Sequence, residues 1–592
     1  MSRRVIDEMR RASFVILFVV LFSVSYAPVP AASQAGEIQI TIAYTHDMHS
    51  HMLPEWTPVG CSGGMPLLST KVDELRALRP VLLLDCGDII SGGAINDLND
   101  GLPMIEVMNE IGYDAMALDN HEFDPGIPIL QGMIDAANFE ILSANVDWPT
   151  TTKPAPYSIE TVAGYDIGVI GLTPSFWYAP DDVTFSDLAD SANAAAAELT
   201  SQGVNFIVVL GCVSSGLSNS LSDVDVIVKA SGPEYINGVL VVPSVSSHAF
   251  GIGALDLTID TSAGTIIDYS FTEHSIDSSL ESDDDITAII DRWDAPFADD
   301  LDKPIGYFGN RQSKGNMGIH LAEAILDYTG ADIATYNLGG VRDSVDGGFI
   351  TLRDLYHVEP FFNFVATLEL PGNVIQSIMG GNYYATEISS FDPGTTYTVG
   401  SSNFSITSFE RSYPSDASNR QDDVDQSVVS TLADYLAIEY PITDTEVLTV
   451  MSSVFNAISG LPDSALGAGD PSNLRTTMTD ILSEADADII EGYEVEALYN
   501  VEYVAAMVDN HVTASCAKRW LSTNLYGIIC SLGGPSAPTS SQTSTSTTYL
   551  TSPTTSDPSE PLLWSPWALV VVMEIAALVI ILAAARIWPK GD

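Results

Sequence analysis

Between residues 38 and 260 the chain repeats one rhythm. Short runs of consecutive apolar residues are each followed by a longer stretch in which apolar residues recur three and four apart. The runs occupy 38–45, 81–88, 114–119, 139–145, 165–173, 204–211, 224–230, 238–245 and 254–260, and the first helical stretches fall near 67–78 and 103–111. Runs that are apolar at successive rather than alternate positions suit strands covered on both faces. Such strands alternating with helices predict a layered α/β domain. An acidic patch at Ser278–Asp285 closes it, a helical connector follows over 286–300, and a second α/β unit runs from near Ile305 to about Thr445. From Glu446 to Cys530, Leu, Ile, Val and Met recur at helical spacing, and no internal repeat is evident.

Both ends break the rhythm. Arg3, Arg4, Arg10 and Arg11 precede the apolar run Ala12–Tyr26, and small residues lead on to Ala35, the layout of a secretory signal peptide over 1–35. Residues 533–563 are rich in Ser, Thr and Pro, a composition that buries no core and suits an extended stalk. Residues 564–585 are almost wholly apolar, with Trp564 and Trp567 at one edge and Arg586, Trp588 and Lys590 beyond the other. That length suffices to span ~30 Å of hydrocarbon, and the positive residues after it put the tail 586–592 in the cytoplasm. Glu574 lies inside the span, where an ionisable group is costly. The expectation is a single-pass protein of the cell membrane with an extracellular ectodomain.

Charge narrows the partners. Against 22 Lys and Arg stand 78 Asp and Glu, a formal net charge of −56. A sequence-independent grip on nucleic acid needs clustered cations and is excluded, as is attraction to an anionic lipid surface. Any phosphate ligand needs a locally built site. At 46% apolar residues the chain is too hydrophobic for a solvated acidic tail, so the charge coats folded domains. Five cysteines are too few for a disulfide scaffold; Cys516 and Cys530 lie near enough in sequence to close a small loop in an oxidising compartment.

Candidate chemistry collects at the carboxyl ends of the predicted strands, where open α/β sheets build their sites. The first place is Thr45–His51, in which Asp47, His49 and His51 alternate; Asp and His together suit Zn, Mn or Fe. The second is Asp85-Cys86-Gly87-Asp88, the third Asp119-Asn120-His121-Glu122-Phe123-Asp124, and the fourth, weaker, Ser143-Ala144-Asn145. In order and spacing these form the skeleton of a dinuclear metallophosphoesterase, in which a carboxylate bridging two cations clamps the oxygens of a phosphoryl transfer.

The chain resembles the 5'-nucleotidase family, which includes UDP-sugar hydrolases and 2',3'-cyclic phosphodiesterases, from residue 38 to about 445. Its second half carries matching segments at Ser313–Gly318, Asp332–Ser344, Ile350–Tyr356 and Glu359–Asn363. The resemblance implies a four-layer metallophosphoesterase β-sandwich flanked by helices, a calcineurin-like domain, over 36–275. A helical connector (276–304), an α/β substrate-binding 5'-nucleotidase C-terminal domain (305–445) and a helical extension (446–532) follow, before the one C-terminal transmembrane helix. It implies metal ligands at Asp47, His49, Asp88 and Asn120, with Asp88 bridging, and a catalytic dyad of His121 and Asp124. Asn337, Gly339, Gly340 and Arg342 would bind the substrate's anionic group, and Phe404 would stack on a nucleobase. The cofactor implied is one or two divalent ions, Zn, Mn or similar, and the partner a small phosphate ester, by preference a nucleotide.

The chain also departs from the family. Two His-bearing motifs expected late in the first domain are absent. Cys212 stands where one His belongs, Lys229 places an ammonium near the vacated position, and His248 is a further substitute ligand. The family's glycine-rich aromatic motif after Phe404 is replaced by Ser405–Arg411, and the loop that supplies a second stacking aromatic shrinks to Gly381–Tyr384. Two readings therefore stay open. One is a membrane-anchored phosphoesterase acting by metal-activated water; the other is a catalytically inactive homologue serving as a cell-surface binding or structural protein.

Overall fold

The computed structural model describes residues 36–532, apart from 58–59, 150–152, 230–232, 462–464, 467–470 and scattered positions between 492 and 514. The expected signal peptide, stalk, membrane span and tail lie outside the described residues. Among the described residues no helix is long and apolar enough to cross a membrane.

Two six-stranded sheets face each other in the first half. In the first, Glu37–Thr45, Val81–Asp85, Ala115–Ala117 and Glu140–Leu142 run parallel, and Gly251–Asp260 and Thr265–Ser275 add antiparallel strands beyond Glu37–Thr45. In the second, Tyr165–Gly171, Ile207–Leu210, Val226–Val228 and Val239–Val241 are parallel, with Tyr157–Val162 and Glu234–Ile236 antiparallel at the edges.

The successive-apolar pattern follows from this layering. Ile40, Ile42 and Tyr44 point into the space between the sheets, where they meet Val208, Leu210, Val226 and Leu240. Residues of the opposite parity, such as Ala43 and Leu83 or Ile207 and Val209, point outward beneath helices. Met65–Leu78, Leu102–Ile111, Ile127–Ala136 and Asp284–Asp294 cover the first sheet, and Leu188–Ser201 covers the second. The result is helix, sheet, sheet, helix, in agreement with the expected four layers.

The helix Asp284–Asp294 belongs to this outer layer. Its Ile286 and Ile290 are buried in the core of the first sheet, and Arg292 and Trp293 both bond the Glu106 carboxylate. Beyond it stands a five-stranded sheet in the order Asn382–Ala385, Ile333–Asn337, Thr396–Ser402, Phe364–Pro371, Ser418–Ser427. Lys314–Thr329 and Val428–Glu439 pack on one side of it, Gly372–Met379 and Asn403–Ser412 on the other. Helices Asp444–Gly460, Pro471–Glu491 and Ser515–Ser531 form a separate apolar cluster. The loop expected from Cys516 and Cys530 is not formed: Cys530 is a free thiol, and Cys61 is disulfide-bonded. Closeness in sequence did not set the pairing, because both residues lie on the single rigid helix Ser515–Ser531.

Candidate active site

Three loops leave the carboxyl ends of adjacent parallel strands of the first sheet and carry Asp47 and His49, Asp88, and Asn120 and His121. Their backbones are forced into the left-handed region at Asp47 (φ 47°), His49 (φ 43°), Ser50 (φ 58°), Asp88 (φ 60°) and Ser91 (φ 65°). Non-glycine residues there are strained, and such strain concentrates at functional sites. Two glycines let the loops touch. A Cβ on Gly87 would lie 2.6 Å from the Asp119 nitrogen, and one on Gly92 only 1.9 Å from the His49 carbonyl oxygen.

Buried carboxylates lock these loops. Glu122, wholly buried, accepts from the backbone N–H groups of Asp88 (3.1 Å), Ile89 (2.8 Å) and Asp119 (2.8 Å), so it ties the second loop to the third. Asp97 does the same for Ser91, Gly92 and Gly93 and accepts from the Ser50 hydroxyl. Asp85 accepts from Thr45 Oγ1 and Gly87 N, and burial pushes its carboxyl up to about 8.

His49, Asp88 and His121 form a three-residue donor group whose ligand atoms lie within 4.8 Å of one another. His49 Nδ1 donates to the Ile90 carbonyl (3.2 Å), which leaves the Nε2 lone pair directed at the site. Burial, with the charges of His121 and Arg342 next, holds His49 down to about 2, so the ring stays neutral. Burial raises the Asp88 carboxyl well above its ordinary range, and the neighbouring Asp119 and Glu122 add to the rise. The His49 imidazole and the buried Asp88 carboxylate, short of compensating charge, fit a divalent cation of borderline hardness, with the His121 ring beside it. His121 is held from behind: its Nδ1 meets Asp124 Oδ2 at 2.6 Å, and that oxygen also accepts from Ser91 Oγ at 2.8 Å.

Asp47 is engaged differently. Its Oδ2 is bonded by His46 Nδ1, whose other nitrogen accepts from Val245 N, and lies 2.5 Å from Lys229 Nζ. Burial alone would raise the Asp47 carboxyl, but the His46 bond and the Lys229 charge hold it well below the usual range. Cys212 and His248 do not join the three-residue donor group. Cys212 is an exposed free thiol just past the end of Ile207–Leu210. His248 stacks on His51 with ring centroids 4.0 Å apart and meets the His49 ring edge-on at 5.6 Å. Asn145 spans to Thr173 with both amide atoms and so clasps strands of the two sheets.

The second domain closes over this centre. Arg342 Nη2 reaches His49 Nε2 at 3.1 Å, and its guanidinium lies 5.7 Å from the Phe361 ring, which also stacks on His121. Asn337 ends its strand, and a Cβ on the nearby Gly340 would lie 2.8 Å from the buried Tyr336 ring, so glycine lets the turn holding Arg342 pack against that ring. A cavity of about 440 Å³ runs from His121 and Asp124 past Asn337, Gly339, Gly340 and Arg342 to Phe404. Its far wall is aromatic: Trp177 and Tyr178, from the first domain, lie 5.2 and 5.6 Å from Phe404 between ring centroids. Tyr178 OH also accepts from Asn120 Nδ2 at 2.6 Å. The sequence reading brought out the residues on the strand-end loops but not Glu122's role, Trp177 or Tyr178. The signal for the last two was the aromatic triplet Phe176-Trp177-Tyr178, just past a predicted strand.

Residues 301–457 match the family model described as the 5'-nucleotidase, C-terminal domain. Over 412 residues the chain is 28% identical to a snake venom 5'-nucleotidase of Crotalus adamanteus, covering 58% of this chain and 70% of that one. A human 5'-nucleotidase is likewise 28% identical, over 414 residues, 58% of this chain and 71% of its own. The solved structure of a 5'-nucleotidase precursor from Thermus thermophilus superimposes with a TM-score of 0.63 at 25% identity, covering 69% of this chain and 97% of that one. The chain thus has a mixed α/β metallophosphoesterase-like fold with a second domain, is similar in sequence to 5'-nucleotidases, and matches the family model of their C-terminal domain over residues 301–457.

Proposed function

We propose that this protein is a nucleotide phosphoesterase, hydrolysing nucleotides or related small phosphate esters, anchored in the cell membrane by residues 564–585 with residues 36–532 outside. The observation that carries the reading is that the donor group His49, Asp88 and His121 adjoins a cavity in which His121 faces the second domain's Arg342 and Phe404, with Arg342 also reaching His49. His49 and Asp88, with Asn120 beside them, would hold a divalent cation, which when bound supplies Lewis acidity toward phosphate and activates water. Arg342 offers a planar fork to the phosphate oxygens. His121, with Nδ1 committed to Asp124, turns Nε2 to the same space. As the imidazolium it donates to a phosphoryl oxygen and then passes its proton to the departing ester oxygen, while water's oxygen bonds phosphorus, its protons staying on the inorganic phosphate formed, and the P–O ester bond breaks. Phe404, Trp177 and Tyr178 supply an apolar wall for a base.

The test is phosphate release by the full chain in detergent, supplied with Mn²⁺ or Zn²⁺, from nucleoside monophosphates, UDP-sugars and a bis-aryl phosphate. Release that Asp88→Ala abolishes supports the reading. Absence of any Asp88-dependent release overturns it in favour of an inactive surface-binding homologue.

A further inference from the structure

A lysine ammonium already stands beside Asp47. Lys229 ends the strand Val226–Val228 in the second sheet with φ 63°, a left-handed turn that a lysine rarely adopts. From there its side chain, 4% exposed, reaches into the loops of the first sheet. Its Nζ stands 2.5 Å from Asp47 Oδ2 and 3.7 Å from Asp119 Oδ2. The same Asp47 oxygen is bonded by His46 Nδ1, while Asp47 Oδ1 lies 3.8 Å from His49 Nε2. A divalent ion ligated by Asp47 would have to sit within a few ångströms of a buried ammonium. The donor group that remains open, His49 with Asp88 and His121, includes neither Asp47 nor Asp119.

We propose that the Lys229 ammonium is a built-in cation that neutralises Asp47 and Asp119 in place of a second divalent ion, so that the centre takes one exchangeable ion, at His49 and Asp88. The inference rests on the phosphoesterase reading for what that ion does, but not for how many ions bind. It alters the chemistry expected of the site. The field of the missing ion is covalently attached, does not leave on chelation, and offers no ligand position to water or substrate. Clamping both the attacking and the departing oxygen between two metals is then excluded, and stabilisation of the departing side falls to His121 and Arg342.

The experiment counts ions. The full chain, stripped with a chelator and dialysed against Mn²⁺, is assayed for metal per chain by mass spectrometry and calorimetry, together with the Lys229→Met variant and the Asp47→Asn/Lys229→Met double variant. One ion is expected in the wild type, two in Lys229→Met, and one in the double variant, which removes the lysine and the charge it neutralises together. Two ions or none in the wild type, an unchanged count in Lys229→Met, or two ions in the double variant overturns the proposal. Should Lys229→Met fail to fold, as judged by its thermal melt, the wild-type and double-variant counts decide. Phosphate release measured on the same samples separates the two ideas: one ion without turnover upholds the count and refutes the phosphoesterase reading.

Discussion

Glu122→Gln is the sharpest test of how the site is held. The wild-type carboxylate has no solvent access and accepts three backbone N–H groups, from Asp88 and Asp119 on one oxygen and from Ile89 on the other. Glutamine keeps the volume and one acceptor oxygen but turns the second into an NH₂ donor. In its better orientation the amide oxygen faces Asp88 N and Asp119 N, leaving the NH₂ against Ile89 N, a donor against a donor. One buried N–H without an acceptor costs ~1–3 kcal/mol, and loss of charge on the other two bonds removes a further ~1 kcal/mol or so. The expected destabilisation is about 3 kcal/mol, and Glu122→Ala, which orphans all three donors and opens a cavity, should lose about 5 kcal/mol or more. Urea unfolding of the full chain followed by circular dichroism reads both. Since the same bonds fix the turns bearing Asp88 and His121, Mn²⁺ affinity should fall with stability. A Glu122→Gln variant within ~1 kcal/mol of wild type would refute the argument, because that is less than the cost of a single orphaned buried donor.

Three further outcomes follow from the geometry. Burial holds His51 and His248 down to about 4, His248 with help from His51, while each titrates near 6.5 in the unfolded chain. The unfolded state therefore binds more protons between pH 4 and 6.5, and stability from each ring is lost as pH falls through that window. For His51 the loss from pH 7 to pH 5 is about 2 kcal/mol by linkage. His51→Phe, which keeps a flat ring against His248, should shrink the acid-induced drop in stability by that amount; an unchanged drop in urea titrations at the two pH values tells against it. Arg342→Ala removes the guanidinium facing the phosphate position and should lower kcat/KM for nucleoside monophosphates about 10- to 100-fold, the worth of a charge-assisted bond; a fall under about threefold would count against its role. Trp177→Ala should raise KM for a nucleoside monophosphate by about 3- to 10-fold through lost ring contact, but leave ribose 5-phosphate unaffected. Equal effects on both substrates would rule out a base-binding wall.

What the sequence made legible depended on how local the signal was. The layering could be read because strands such as 38–45 and 204–211 bury both faces, and only a sheet between two layers demands that. Asp47, Asp88 and His121 could be read because each lies within a few residues of a strand's end, where backbone direction alone puts it at the sheet's rim. Glu122 could not. Its work is to accept N–H groups from Asp88 and Ile89, 34 and 33 residues away, and nothing in the spacing of a Glu beside a His records that. Cys61 and Trp177 escaped for the same reason. The bond of one and the ring contact of the other with Phe404 exist only once distant segments have been brought together. Lys229 is the intermediate case. Its position after a strand marked it as near the site, but only its approach to Asp47 shows which carboxylate it serves.

The surplus of acid gains a meaning from this arrangement. A chain of net charge −56 repels a nucleotide at long range, and only fields within roughly 8–10 Å survive physiological salt. What a phosphate meets inside that distance is set by few groups. Arg342 and Arg411 line the cavity, with Asp124 as its sole carboxylate among the lining residues, and that carboxylate is occupied by His121 and Ser91. Behind the lining, four buried acids, Asp85, Asp88, Asp119 and Glu122, and the half-buried Asp47 crowd the loops. Burial raises the carboxyls of Asp85, Asp88, Asp119 and Glu122 and so favours their neutral forms, whereas Asp47 is held ionised and, left uncompensated, would extend a negative field into the cavity. Lys229 cancels part of that charge permanently, whatever the metal supply, and leaves Asp88 as the carboxylate exposed to a cation. The permanent charge and the exchangeable one thus have separate tasks. The lysine lets the acid-rich loops fold beside one another, and the ion decides whether a phosphate can be held there.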